Sequence, residues 1–359
     1  MFLPVLLLRD LGTGGFLVFA IPNVLGAAAM GWVLRSQLQS RGFVEQHIRA
    51  CVWFSLVTII FHAFFAAWMI RRVGGHSAGL GIAVALGLFW MILQLRNGNF
   101  LGAGLALVVS VLAMASGFYR GDLPMIAMPI PGRAMPAIDI LWLAPVCVFG
   151  FLLCPYLDLT FHAARQDTSR YESRAAFTLG FCGFFAMMIL FTRAYSGWLV
   201  SGFARDLFPQ VALILCVHFV VQSCFTVTAH VQQLGMQLRQ ISIPKFIFFC
   251  LAFVAIVFLG AVAHRNVLYH GLESGEVVYR CFLGFYGLVF PAYVWLCVVP
   301  PRRSQYHFLL AVFIAAPMFW LAMIEQQMVW AVPGVLAPIV AKLAGGWTTT
   351  PKRFQATAD

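Results

Sequence analysis

The sequence predicts an all-α polytopic membrane protein with about ten transmembrane helices. Its composition is the first reason, because 62% of the 359 residues are hydrophobic and only 10% are charged, whereas a soluble domain carries about 25% charged residues. The second reason is that the apolar residues form runs close to the ~20 residues that a spanning helix needs. The 23 Lys and Arg residues lie in or beside the loops between these runs. That distribution is typical of a membrane protein and argues against a nucleic-acid partner.

Ten apolar runs are predicted to span the membrane, and short polar loops separate them. A further apolar segment, 328–343, contains two prolines and a glycine, and we expect it to be a short interfacial or re-entrant helix. The Lys and Arg residues divide almost evenly between the two sides of this scheme, so they favour neither orientation. The predicted spans are 14–34, 49–70, 78–95, 99–116, 137–157, 175–194, 207–229, 246–264, 279–299 and 306–324.

The first apolar run contains a proline, an asparagine and a glycine near its middle: Pro22, Asn23 and Gly26. Proline lacks a backbone donor and clashes with the carbonyl four residues back, and the freed backbone needs a new partner inside a bilayer. One interpretation is a broken helix that holds the cargo of a transporter. The other is a kinked packing helix in which Gly26 lets a neighbouring helix come close.

A similar pattern in the fifth run indicates an internal repeat. Pro145 and Gly150 follow Pro22 and Gly26 at offsets of about 123 and 124 residues, as the numbering shows. Matching broken spans in two halves are a sequence sign of a transporter binding site. We therefore interpret residues 1–359 as one integral membrane domain. It comprises a first helical repeat (12–116), a Pro/Gly-rich connection (117–136), a second helical repeat (137–264) and additional C-terminal helices (279–343).

Two segments carry a resemblance to a known family. The sequence Ile-Pro-Asn-Val-Leu-Gly at 21–26 resembles the unwound first core helix of the amino acid–polyamine–organocation superfamily, which has the leucine-transporter fold. The sequence from Tyr156 to Arg165, followed by Arg174-Ala175-Ala176, is similar to the end of core helix six and its exit loop in the sodium/solute symporter family. In that family an aspartate-containing turn precedes a Gln-Arg pair, where this chain has His162 and Arg165.

The resemblance implies a secondary active transporter that couples a sodium ion, or a proton, to symport of a small organic solute by alternating access. Broken helices would hold the solute, and core helix eight, here 207–229, would supply hydroxyl groups to the ion. The implied solute-binding residues are Pro22, Asn23, Gly26, Pro145 and Gly150. The implied ion-binding residues are Ser223, Thr226 and the carbonyl of Ala20.

The residues of the ion site also have simpler interpretations. Ser and Thr hydroxyl groups in a membrane helix commonly bond to the carbonyl four residues back, so Ser223 and Thr226 need not bind an ion. Asp158 lies at the end of a predicted span. An ionisable group at that depth suggests ion or proton coupling, although a carboxylate at a span end can also be in contact with water.

The sequence contains no Walker A, H-E-x-x-H or G-x-S-x-G motif, which disfavours an ATP-driven pump or a membrane protease. We expect no enzyme activity, no metal centre and no cofactor other than a sodium ion. The expected partners are the lipid bilayer and a small solute, and the expected location is the inner (plasma) membrane as a multi-pass protein.

One alternative stays open. Inverted repeats of five helices need an odd number of spans, but only four fall between Gly12 and Pro136. This shortfall favours a non-transporting scaffold or sensor subunit that packs against a membrane partner.

Overall fold

The structure is a computed structural model that describes residues 2–94, 98–118, 135–200, 209–237, 243–263 and 268–344. Within its helices and strands, side chains are not described at 74–94, 98–99, 118, 198, 200, 236–237, 243–250 and 268. The helices are α1 (Leu3–Val33), α2 (Gln37–Gln94), α3 (Gly98–Phe118), α4 (Asp139–Leu153), α5 (Leu159–Gln166), α6 (Arg170–Phe177), α7 (Ala186–Val200), α8 (Pro209–Gln237), α9 (Ile243–Val262), α10 (Ser274–Gly284), α11 (Phe290–Tyr293), α12 (Gln305–Met323) and α13 (Ala331–Ala344). Strands β1 (Leu268–Tyr269) and β2 (Leu272–Glu273) form a short antiparallel hairpin.

Eight helices of the described residues are long and apolar enough to cross a membrane, which confirms an all-α, membrane-embedded protein. They are Leu3–Val33, Gln37–Val73, Phe100–Gly117, Asp139–Leu157, Arg170–Gly197, Pro209–Gly235, Ser274–Val298 and Gln305–Met323. Shorter apolar helices cover Leu251–Val262 and Met328–Ala344. The predicted span 78–95 falls where side chains are not described, and most of the connection 117–136 lies outside the described residues. A total of ten spans therefore stays a prediction.

The first helix is distorted at Gly12 and not at Pro22. Gly12 has φ 65° and ψ −155°, a conformation that glycine adopts without the steric penalty of a Cβ atom. Helix α1 continues through Pro22, Asn23 and Gly26 to Val33, so the prediction of a broken helix at these residues was wrong. A proline removes only one backbone donor, and neighbouring helices can hold such a segment helical.

Helix α4 is likewise continuous through Pro145 and Gly150, so the predicted break was wrong here too. The helix instead ends in a tighter 3₁₀ turn over Cys154–Leu157, which leads to an extended Asp158. The distortion therefore lies at the end of the span and not in its middle.

Two of the predicted residues serve close helix packing. A Cβ atom on Gly26 would overlap the carbonyl oxygen of Phe151 in α4. A Cβ atom on Gly150 would lie 2.7 Å from the carbonyl oxygen of Tyr286, in the π-helical segment Phe285–Val289. The small residues let backbones approach each other directly, as the second interpretation of Gly26 predicted.

Side-chain contacts define the two ends of the bundle. At one end, the N-terminal parts of α1 and α10 meet through Arg9 and Glu276. At the other end, Arg165 of α5 donates to the carbonyl of Leu34, which ends α1. We call these the Arg9 end and the Asp158 end.

Helix α13 packs along α12 from the Arg9 end towards the Asp158 end. Near the first end, Val335 packs with Phe319, and near the second, Ala341 packs with Ala311. Its end is held by Lys342, whose ammonium group donates to the carbonyl of Val299. The expectation of a short interfacial or re-entrant helix stays a prediction.

Candidate functional site

Four charged side chains form a closed ion network where α1 meets α10. The Arg9 guanidinium donates to both carboxylate oxygens of Glu276, at 2.6 and 2.9 Å, and to the carboxylate of Asp10 at 2.6 Å. Arg280 donates to Glu276 at 2.8 Å and to Asp10 at 2.6 Å. Two positive and two negative side chains thus neutralise each other.

All four residues are buried, with at most 6% of their surface exposed. Removing charges from water is costly unless each is paired and hydrogen-bonded, and here every charge has partners. Arg280 makes one further bond, from Nη1 to the carbonyl of Met323 at the end of α12. The network therefore ties three helices together at the Arg9 end.

Sequence reasoning missed this network. Arg9 and Asp10 lie just before the first predicted span, and Glu276 and Arg280 lie at the edge of the ninth, so all four read as loop charges. The available signal was the presence of ionisable residues inside apolar stretches, which by default indicates a functional or paired group. Pairing across 267 positions cannot be deduced from spacing alone.

An apolar cavity lies directly beside the network. The space between the atoms of its wall is about 700 Å³, its open mouth included. Asp10 and Arg280 form the charged part of its wall. The apolar lining comes mainly from α1, α4, the Ser274–Val298 span and α12, and it includes Leu7, Leu11, Val146, Cys147, Leu283, Phe319 and Met323.

The backbone is irregular on two sides of this cavity. On one side, the distortion at Gly12 is accompanied by a hydrogen bond from the N–H of Met135 to the carbonyl of Asp10, at 2.9 Å. On the other side, Tyr286 and Gly287 line the cavity from a π-helical segment. Segments of this kind occur often at functional sites, which marks the cavity as the candidate binding site.

The structure brings one predicted solute-binding residue to the cavity. Gly150 lines it, whereas Pro22, Asn23, Gly26 and Pro145 do not belong to its lining. The portion of α1 that faces the cavity runs from Leu3 to Leu11, before the predicted motif.

The predicted ion-binding residues lie on two different helices. Helix α8 packs mainly on α2 and α3, whereas α1 packs mainly on α4 and α7, and Ala20 packs against the apolar cluster that includes Leu143 and Ile189. The Thr226 hydroxyl donates to the carbonyl of Gln222, four residues back, at 3.1 Å, as the simpler interpretation predicted. The buried Ser223 hydroxyl has no hydrogen-bond partner among the described residues.

Asp158 lies in a separate polar cluster at its own end of the bundle. Its Oδ1 accepts hydrogen bonds from the backbone N–H of Thr160, at 2.8 Å, and from the Thr160 hydroxyl, at 2.6 Å, so it caps α5. Its Oδ2 lies 4.0 Å from Nε2 of His230 in α8. Asp158 is 9% exposed and His230 is 3% exposed.

Comparisons of the chain with protein-family models, with curated proteins and with solved structures found no match. The fold and the site together define the class: an all-α, membrane-embedded protein with an apolar cavity beside a buried ion network.

Proposed function

We propose that the protein is a secondary active transporter that moves a small organic solute by alternating access, coupled to a sodium ion or a proton. In this proposal it is a multi-pass protein of the inner (plasma) membrane. The observation that carries the proposal is the cavity between α1, α4, the Ser274–Val298 span and α12, which adjoins a distorted membrane helix. Distorted helices and cavities coincide at the binding sites of transporters.

The lining of the cavity favours a solute that is mostly apolar with one polar group. Most of the wall is aliphatic or aromatic, while Asp10 and Arg280 offer a carboxylate and a guanidinium at one place. Both groups already have partners in the network, so a solute would share or exchange those hydrogen bonds. A solute that binds one arrangement of the network better than another shifts the population between them.

The coupling ion has two candidate sites. Ser223 offers a buried hydroxyl that has no hydrogen-bond partner within the described part of the chain, and oxygen ligands suit a sodium ion. Asp158 offers a carboxylate close to a histidine, and such a pair suits a proton.

The test begins with thermal unfolding of the detergent-purified protein in sodium and in potassium at matched ionic strength. A ligand that binds the native state raises its apparent stability by mass action. A sodium-specific rise that disappears in Ser223→Ala and persists in Thr226→Ala would identify sodium as the ion. A panel of small amphipathic solutes is then screened in the same way, and the compounds that bind are tested for uptake into proteoliposomes.

A substitution that fills the cavity tests whether the solute binds there, and the same substitution at an exposed position is its control. Cys147 is buried and lines the cavity, whereas Cys182 is exposed, so Cys147→Trp should abolish both the solute-induced shift and uptake while Cys182→Trp retains them. If both variants respond to solute like the wild type, the cavity is not the binding site.

A scaffold or sensor subunit is the second candidate function. The closed pairing within the ion network favours it, because each of the four charges is already satisfied by the protein itself. This candidate predicts no response to any solute or cation. It also predicts a second membrane protein that co-purifies in mild detergent and that is lost after substitutions on the lipid-facing surface.

A further inference from the structure

We propose that His230 and Asp158 form a proton-binding site, which makes the proton the coupling ion of this protein. The inference rests on the proposed transport function and deepens it.

One carboxylate oxygen of Asp158 accepts hydrogen bonds within α5, and the other faces His230. Oδ1 receives both hydrogen bonds from Thr160, which fixes the plane of the carboxylate at the start of α5. Oδ2 lies 4.0 Å from Nε2 of His230. This distance is too long for a direct hydrogen bond but lies within that of an ion pair, so a proton on this nitrogen would place a positive charge directly opposite the carboxylate.

The opposite side of the His230 ring is held by α2. Nδ1 lies 3.1 Å from the hydroxyl oxygen of Ser55. A serine hydroxyl can donate or accept, so it can stay bonded to the ring in either protonation state. When a proton from water binds at Nε2, the imidazole becomes an imidazolium beside a carboxylate, and the pair becomes neutral overall. When the proton leaves to water, the carboxylate again carries the unbalanced negative charge.

A row of polar groups leads from this site to the cavity. Ser55, Thr58 and His62 are spaced by three and four residues, so they lie on one face of α2. The Thr58 hydroxyl is 2.9 Å from the hydroxyl oxygen of Tyr286, and Tyr286 lines the cavity. His62 Nδ1 lies 2.8 Å from the carbonyl of Thr58. The face of α2 that contacts His230 through Ser55 therefore also contacts the cavity wall through Thr58 and Tyr286.

The surrounding elements contribute further titratable side chains, and most of them are neutral at pH 7 in their ordinary state. Asp158 thus supplies the charge that His230 meets. The titratable groups in the cluster are Cys51 and His62 from α2, Cys154 from the 3₁₀ turn, His162 from α5 and Tyr286 from the π-helical segment.

The experiment measures protonation directly on the full chain in liposomes, without a solute. Infrared difference spectra between pH 8 and pH 5 follow the imidazolium and carboxylic-acid bands of the wild type, Asp158→Asn and His230→Gln. Asparagine is chosen because it caps a helix about as well as aspartate, so the variant loses the charge and keeps the fold. Asp139→Asn, at the start of α4, is the matched control.

We expect one imidazolium signal to disappear in His230→Gln. In Asp158→Asn the same signal should titrate with an affinity for protons at least about tenfold lower, because an opposite charge at this distance has gone. Asp139→Asn should match the wild type. Ser55→Ala, which leaves both titrating groups in place, should shift the signal without abolishing it, and it provides a result even if His230→Gln fails to fold.

Two outcomes separate this inference from the transport proposal. If the signal titrates identically in the wild type, Asp158→Asn and Ser55→Ala, the proton site is overturned, even where sodium then drives uptake of a solute. If the signal responds as expected but no solute binds or enters proteoliposomes, the proton site stands and the transport proposal fails.

Discussion

Arg280 donates from Nη2 to the carboxylate of Asp10 at 2.6 Å, although the two residues are 270 positions apart. This bond fastens the seventh candidate span to the first at the wall of the cavity. Arg9 and Glu276 close the same network from the opposite direction. Any movement that separates α1 from α10 must break these bonds, so the network controls whether the two helices move together.

Removal of one partner from the network should be strongly destabilising. Arg280→Ala leaves Asp10 and Glu276 with one fewer positive partner in a buried site, which costs about 3–5 kcal/mol in comparable buried pairs. The apparent melting temperature of the purified protein measures the loss. Arg302→Ala, at an exposed position, should change it little.

The cost should arise from unpaired charge and not from lost packing volume. The double variant Asp10→Asn with Arg280→Gln removes one charge of each sign, and we expect it to be more stable than Arg280→Ala alone. A double variant that is less stable than either single variant would show that the hydrogen bonds, and not charge balance, dominate.

The sequence was sufficient to predict the fold class because hydropathy measures directly whether a segment can lie in a bilayer. It was insufficient to place the helix distortion. Proline was a plausible candidate for a break, but Pro22 remains helical and Gly12 is distorted. Glycine allows an unusual backbone conformation but does not impose one. Whether a helix is distorted at a given glycine therefore depends on tertiary contacts, such as the hydrogen bond from the N–H of Met135 to the carbonyl of Asp10.

The candidate site shows the same limit. Gly150 was identified as a residue of interest and lines the cavity, and Asp158 was identified from its position at a span end. The pairing of Arg280 with Asp10, and that of His230 with Asp158, could not be predicted. The number of residues between two positions does not indicate which helices pack together. Pairing of buried charges is decided by the three-dimensional arrangement, and a single sequence does not record it.

Glycine-to-alanine substitutions should separate close packing from helix propensity. In an exposed helix this change gains about 0.5–1 kcal/mol. At Gly26 and Gly150 the added methyl group meets a backbone oxygen that cannot rotate away, and overpacking of this kind typically costs about 1–3 kcal/mol. Gly26→Ala and Gly150→Ala should therefore lower the melting temperature, whereas Gly104→Ala, which meets nothing within 4 Å, should keep or raise it.

The hairpin at the Arg9 end should be loosened by loss of one carboxylate. Glu325 accepts from the hydroxyl of Tyr269 at 2.8 Å and from the indole N–H of Trp320 at 3.1 Å, and its other oxygen lies 3.0 Å from Nε2 of His270. Glu325→Gln removes the charge that these donors favour. We expect faster hydrogen exchange in Leu268–Glu273, measured by mass spectrometry. Glu172→Gln, in the capping box of α6 at the other end, should not alter exchange in the hairpin.

The same contacts give Glu325 a pH dependence. The hydrogen bond from Tyr269, followed by that from Trp320 and the charge of His270, lowers the pKa of Glu325. The carboxylate therefore stays ionised below the ordinary glutamate pKa of about 4.3. Its contacts with Tyr269, Trp320 and His270 persist over the same range. Exchange in the wild-type hairpin should accelerate only when the pH falls through this lowered value. Tyr269→Phe should move the acceleration to higher pH.

The stability of the Asp158 end should fall in mild acid because of His162. Its ring is buried, with Nδ1 2.9 Å from the hydroxyl oxygen of Ser40 and Nε2 2.9 Å from the carbonyl of Tyr156. Burial lowers the pKa of His162, against smaller opposing effects of the Tyr156 carbonyl and Asp158. The unfolded chain then binds a proton more readily than the folded protein. Stability is therefore full above the ordinary histidine pKa of about 6.5 and decreases as the pH falls below it, until the folded state is also protonated.

Thermal unfolding between pH 8 and pH 5 measures this decrease. His162→Gln keeps hydrogen-bonding groups but cannot titrate, so its melting temperature should vary less with pH than that of the wild type over this interval. His307→Gln, whose hydrogen bond is with the exposed Ser304, serves as the control and should retain the wild-type slope. An equal slope in all three proteins would mean that the acid sensitivity comes from another group and that the burial of His162 has no effect on stability in this range.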